Sequence, residues 1–246
     1  MTRRAAIGLA IVAIVAGLAG ALLGTPWQNK TTQTGAVAGA SAAPAADPTL
    51  SIVATANKPQ VQVFASMGGV TQSTLPNPIE SGAPLTFLVL QQKDDWLNVL
   101  LPLRPNGSEG WIHRTDVTLA SHHYKIKVEL AAHRLIVTNG NDTILDTPVG
   151  VGTKDTPTPG GLYYTKELFQ PPDQNGPYGH FAYGLSGFSN VITSFAGGDG
   201  VIGIHGTNDP STIGKDVSHG CLRISNQAIE MLAKRLPLGV PVEIDA

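Results

Sequence analysis

The sequence predicts a mostly β chain: two folded parts built from short strands, with few helices, behind an apolar N-terminal helix. Three observations carry this. The 246 residues include 28 Gly and 18 Pro, too many for a helical protein but below the roughly 25–30% that marks a low-complexity chain. From Leu50 onward, apolar runs of strand length alternate with Pro, Asn and Gly turn signals. Beyond the N-terminus, one segment alone places apolar residues at the helical period.

The N-terminal segment sets the compartment. Arg3 and Arg4 precede Ala5–Gly24, a run of 20 residues with no polar side chain. At a 1.5 Å rise this spans about 30 Å, the thickness of a bilayer's hydrocarbon core. The arginines would stay on the cytoplasmic side, which places the rest outside. Residues 1–24 therefore read as a membrane anchor. A cleaved signal segment is the alternative, because Ala19–Ala21 offers small residues near the end of the run. No cysteine lies nearby, so a lipoprotein anchor is excluded. Either reading makes the protein extracytoplasmic, in the cell envelope when anchored and secreted when cleaved. Residues 25–49 are mostly small or polar, with Lys30 and Asp47 the only charges, and read as a flexible linker.

Charge and cysteine usage exclude further classes. Lys and Arg number 16 against 18 Asp and Glu, a formal net charge of −2. That balance speaks against an electrostatic nucleic-acid binder, which needs a basic face. One cysteine rules out an intramolecular disulfide, so any role of that residue is a thiol's.

The first folded part spans residues 50–120. Val61, Val63 and Phe64 begin one apolar segment, Leu85–Leu90 forms a second, and Trp96, Leu97, Val99 and Leu100 a third. Pro105-Asn106-Gly107 then turns the chain into Gly110-Trp111-Ile112. This is the pattern of a small β-barrel, with Trp96 and Trp111 packing its core and rim or lining a ligand groove. The order of these segments resembles the bacterial SH3-like domains of wall-associated proteins, and the resemblance implies a module that binds wall polymer.

The second part spans residues 121–246. Lys125–Leu130 alternates polar and apolar residues as a half-buried strand should. Leu135-Ile136-Val137 continues after a turn, and Asn139-Gly140-Asn141-Asp142 signals a hairpin. Val149–Val151, Gly161–Tyr164 and Val201–Ile204 predict further strands. Ile229, Leu232, Ala233 and Leu236 follow helical spacing, with Ser225 or Asn226 as N-cap and Pro237 as terminator. Val240–Ile244 supplies a last strand. Between Glu167 and Gly200 the chain is rich in Pro, Gly and aromatics, including Phe169, Tyr178, Phe181, Tyr183, Phe188 and Phe195. It reads as a long lid or binding loop over a cleft, or as a surface loop pinned by its aromatics.

The chemistry gathers around the cysteine. Cys221 lies in Ser218-His219-Gly220-Cys221-Leu222-Arg223, and His205 ends the strand that leads into Gly206-Thr207. Base rates make a lone Cys a small buried hydrophobe. Its neighbours favour a nucleophile–base pair, since a cationic neighbour lowers a thiol's pKa. Gly206 and Gly220 permit tight turns that aim backbone groups at a site. Zinc on His205, His219 and Cys221 is the alternative, but the spacing fits no zinc pattern and needs a fourth ligand such as His180. A Ser218 hydrolase lacks its G-x-S-x-G elbow. His122-His123 read as solvated, and His113 and His133 as structural.

Ile204-His205-Gly206-Thr207 and Ser218-His219-Gly220-Cys221-Leu222-Arg223 resemble the signature of the L,D-transpeptidase (YkuD-type) catalytic domain. Thr156-Pro157-Thr158-Pro159-Gly160-Gly161 and the Ser-Asn-led helix also fit. The resemblance runs from about Tyr124 to the C-terminus. It implies a β-sandwich-like domain acting on peptidoglycan stem peptides, with no cofactor and no metal. Carried onto these positions, Cys221 is the nucleophile and His205 the base, oriented by the Gly206 carbonyl. Amides around His219, Gly220 and Cys221 would form the oxyanion hole, Ser218 and His219 shape the turn, and Arg223 holds a substrate carboxylate or braces the loop through a salt bridge. The expected partners are stem peptides, the bacterial cell wall and, through the N-terminal helix, the membrane. A hydrolytic variant and a wall-binding protein acting through its SH3-like part are the other readings.

Overall fold

A computed structural model of the chain describes residues 47–194 and 198–246. The expected anchor, nearly all of the linker and Phe195 lie outside the described residues. Among the described residues, no helix is long and apolar enough to cross a membrane.

The first sheet is built from β1 (Ser51–Ala56), β2 (Gln60–Phe64), β3 (Thr71–Pro76), β4 (Thr86–Lys93), β5 (Trp96–Leu100), β6 (Glu109–His113) and β7 (Val117–His122). Their order is β3-β2-β6-β5-β4-β1-β7, antiparallel throughout. Val61, Val63, Phe87, Leu97, Val99 and Ile112 form its buried core. Trp96 and Trp111 do not join that core. Both are half-buried, and Trp96 stacks on His113 with centroids 3.8 Å apart, edge-on to Phe64 at 5.1 Å. His113, read as structural, packs in this aromatic cluster.

The remaining strands are β8 (Tyr124–Glu129), β9 (Arg134–Asn139), β10 (Asp142–Pro148), β11 (Val151–Gly152), β12 (Gly161–Phe169), β13 (Ala182–Phe188), β14 (Val201–His205), β15 (Asp216–Ser218), β16 (Leu222–Arg223) and β17 (Pro241–Asp245), with α1 (Asn226–Arg235) before the last. Eight of them form a sheet ordered β10-β9-β8-β17-β12-β13-β14-β16, while β11 and β15 pair apart. β8 with β17 and β14 with β16 run parallel. Ile126 and Val128 point inward from β8, as their alternation requires. Helix α1 buries Ala228, Ile229 and Leu232 against the same core. Ser225 is its N-cap, its hydroxyl accepting from the Ala228 N–H at 3.1 Å.

One expectation is overturned. The stretch from Glu167 to Gly200 is no continuous loop, because it contains β13, buried at every position. A strand covered on both faces has no alternation to read. The loops that remain flank it on either side.

The two sheets meet. Leu88 and Leu100 of the first pack on Tyr164 of the second, all three buried. The loop between β5 and β6 also grips the chain after β13. Arg104 donates to the carbonyls of Ser189 (2.8 Å) and Asp199 (2.9 Å). Asn106 exchanges two hydrogen bonds with the Phe188 backbone. Two side chains of the first sheet's loop thereby satisfy backbone groups beside the edge that carries the candidate site.

Candidate active site

The site lies on one face of the β13-β14-β16 edge, and strand pairing decides which residues reach it. His205 is paired with Arg223 and Ile204 with Leu222. Side chains at paired positions share a face, so Ile204 and Leu222 enter the core while His205 and Arg223 emerge opposite. Cys221, one residue before β16, comes out on the His205 side. On β13, Ala182 and Gly184 pair with His205 and Gly203 and extend that face with small residues.

His205, Ser218, His219, Cys221 and Arg223 line one cavity of about 240 Å³ with Tyr178. His205, Cys221 and Tyr178 also line a second, of about 160 Å³, that runs across the glycines toward Glu167. Every predicted side chain is thus brought together. The Tyr178 ring stands 4.8 Å from that of His205. Tyr178, noted only within the aromatic-rich stretch, is the residue that roofs both cavities.

His205 is fixed by its neighbour. Its Nδ1 stands 2.6 Å from the Gly206 carbonyl oxygen. A carbonyl only accepts, so Nδ1 carries the proton and Nε2 keeps its lone pair. Burial pushes the imidazole down to about 4, the Gly206 bond opposes this, and Arg223 adds to the fall. For Cys221, burial raises the thiol's pKa, while the Gly203 backbone and Arg223 pull it down. Sequence reading expected a cation to make a thiolate; desolvation outweighs it. The resting pair at neutral pH is thiol and neutral imidazole.

The loop that carries Cys221 is held by hydroxyls. Ser218 donates to the Cys221 carbonyl at 2.6 Å and accepts from the Gly220 N–H at 3.1 Å. Gly220 has φ +112°, which a side chain would strain. Its amide donates to Ser218, whereas the sequence reading aimed it at an oxyanion. Thr156 donates to the Ser218 carbonyl at 3.0 Å. Buried Thr158 donates to the Gly220 carbonyl and accepts from Gly152, both at 2.9 Å. Asn226, freed from capping, accepts from the Thr207 (3.1 Å) and His180 (3.3 Å) amides. The turn-shaping role expected of Ser218 is a local contact, whereas the Thr156, Thr158 and Asn226 bonds to Ser218, Gly220, Thr207 and His180 join residues well apart in the chain and were invisible in sequence.

Arg223 has no carboxylate within ion-pair distance among the described residues, and its Nε is buried without a partner. The expected bracing salt bridge is absent there. His180 is turned to Glu230, and no metal-ligating cluster forms among the described residues. His133 bonds Asp216 at 2.8 Å. His123 faces Asp47, and His122 is half-buried rather than solvated.

The family model for the L,D-transpeptidase catalytic domain, YkuD, matches residues 123–244. Residues 123–244 are a YkuD-family L,D-transpeptidase catalytic domain. The Bacillus subtilis protein named as L,D-transpeptidase YkuD is 36% identical over 122 residues, which cover 50% of this chain and 66% of that protein. The Escherichia coli protein named as L,D-transpeptidase YbiS is 30% identical over 135 residues, 49% of this chain and 44% of that one. The chain thus spans just under two thirds of one relative and less than half of the other. An L,D-transpeptidase structure from Mycobacterium smegmatis aligns at 16% identity with a TM-score of 0.40, over 64% of this chain and 80% of that one. Within the YkuD domain of this chain, the hydroxyl-held Ser218–Arg223 loop and the Gly206-bound His205 form one arrangement.

Proposed function

We propose that the protein is an exported peptidoglycan L,D-transpeptidase with Cys221 as nucleophile. The observation that carries this is the His205 Nδ1–H bond to Gly206, which leaves Nε2 basic in a cavity shared with the only thiol. Cys221 attacks the amide between the third-position diamino acid and the terminal D-Ala of a tetrapeptide stem. The thiol proton passes to His205 Nε2 as sulfur bonds the carbonyl carbon. The oxyanion is met by backbone amides of the turn that carries Cys221, the Cys221 N–H among them. The C–N bond breaks, His205 returns its proton to the leaving amine, and a thioester remains. An acceptor amine attacks that thioester, gives its proton to His205 and expels the sulfur, which recovers the proton. The product is a 3→3 cross-link. Water in the acceptor's place would yield a tripeptide.

Arg223, cationic and without an acidic partner among the described residues, is suited to a substrate carboxylate. Residues 50–120 are read as an SH3-like module that binds wall polymer, supported by their separate core and by the half-buried Phe64–Trp96–His113 cluster. The apolar run Ala5–Gly24 supports export and membrane attachment.

The test is to incubate the full chain with disaccharide-tetrapeptide and identify products by mass spectrometry beside Cys221→Ala. The expected product is a dimer that has lost one D-Ala, absent from the variant. Tripeptide alone would make the enzyme a carboxypeptidase. Unchanged substrate under both proteins would favour the wall-binding reading.

A further inference from the structure

The catalytic cavity has a second, oppositely charged end that the proposed reaction has not used. β12 carries an irregularity between Thr165 and Glu167: Thr165 pairs with Leu185, yet Glu167 pairs with Gly184. In an uninterrupted ladder Glu167 would pair with Tyr183 and point into the core. The extra residue, Lys166, shifts Glu167 to the face shared with Gly184, Gly203 and His205. Such bulges re-aim side chains beside active sites. The carboxylate then lies across Gly184, where a Cβ would stand 2.3 Å from Glu167 Oε1. Gly184 is thus needed for Glu167 to adopt this position.

Glu167 is also the neck between two spaces. It lines the 160 Å³ cavity that holds Cys221 and His205, and it lines a larger cleft of about 580 Å³ that reaches the first sheet. That cleft presents Glu80, Asp199 and Glu167 against Lys166, so its charged lining is mainly acidic. The Glu167 side chain is only 13% exposed, and among the described residues its polar partner is Lys166, an ion pair at 3.6 Å. The pair holds no hydrogen bond, so the carboxylate keeps lone pairs for a further donor. On the other side of Cys221, the first cavity is cationic through Arg223.

Resting on the transferase reading, we propose that Glu167 is the ammonium-binding subsite for the acceptor. The incoming diamino acid approaches through the acidic cleft, its side-chain ammonium bonds Glu167, gives one proton to water in the cleft, and moves on as the neutral amine to the thioester beside His205, which takes the second proton on attack. The donor stem occupies the Arg223 side. The subsite selects a primary amine over water or a neutral nucleophile.

Two readouts on the full chain test this. The first is titration with Nα-acetyl-lysinamide, a probe with one ammonium and no carboxylate, followed by NMR. Binding should weaken about tenfold or more in Glu167→Gln, as loss of a charge-assisted hydrogen bond implies, and be partly kept in Glu167→Asp. Gln preserves the volume, so folding is not in question. The second is the ratio of cross-linked dimer to tripeptide formed from disaccharide-tetrapeptide, which should fall about tenfold in Glu167→Gln. Equal probe binding by wild type and Glu167→Gln would overturn the proposal. A drop in D-Ala release with an unchanged ratio would also overturn it, because Glu167 would then serve the donor. If wild type released no D-Ala at all, the transferase reading would fall, while the probe titration would still decide whether Glu167 binds ammonium.

Discussion

Replacing His205 by Gln is expected to slow acylation of Cys221 about 10²–10⁴-fold, the range for loss of a positioned general base. The thiol is buried and its pKa raised, so little thiolate exists at pH 7 to react without a base. The acid limb of kcat/KM should lie near pH 4–5, because the imidazole that must be neutral has been pushed down to about 4. A pH–rate profile checks this. An acid limb near 6.5, the value of a solvated imidazole, would show that His205 is not the base or is not buried during turnover.

The same burial links pH to stability. His205 is held below its unfolded value of about 6.5, so between about 6.5 and 4 the unfolded chain binds more protons than the folded one. Its contribution is complete above about pH 6.5 and is lost as pH falls through 4, by about 3 kcal/mol at most. His122, also depressed by burial, acts with the same sign. Cys221 acts oppositely: its raised pKa costs stability once pH exceeds that of an unfolded thiol. Thermal melts from pH 4 to pH 8 should show His205→Gln losing less stability on acidification than wild type. Equal slopes would contradict the assignment.

Replacing Thr158 by Val is expected to destabilise the domain by about 2–5 kcal/mol and to lower activity with it. The shapes match, but Val can neither accept from Gly152 nor donate to Gly220. A buried carbonyl and a part-buried amide then lose their partners, each costing about 1–3 kcal/mol. Gly220 precedes Cys221, so the lost anchor also frees the Cys221 loop. Thr158→Ser keeps the hydroxyl and should restore most of both properties. Denaturant unfolding beside D-Ala release measures them. Stability unchanged in Thr158→Val would mean that the strap does not hold the loop.

What sequence could show depended on distance along the chain. β8 was legible because Lys125–Glu129 alternates, and α1 because its apolar stripe and Ser cap are local signals. The His205 and Cys221 motifs were legible because each is a short run of unusual residues. β13 was hidden, since Ala182–Phe188 is buried on both faces and its glycines read as loop. Glu167 was hidden for another reason: only a one-residue shift in pairing turns it from the core toward the site. The pKa of Cys221 was misjudged because Arg223 is visible in sequence and burial is not. Thr158, Tyr178 and Asn226 act through partners far along the chain, which no local pattern records.

The most direct measurement is the intact mass of the full chain after brief mixing with disaccharide-tetrapeptide, followed by peptide mapping. The expected mass gain is that of the donor less D-Ala, confined to the peptide containing Cys221, labile to hydroxylamine and absent from Cys221→Ala. D-Ala release with the adduct on another residue, or release that persists in Cys221→Ala, would contradict nucleophilic catalysis by Cys221.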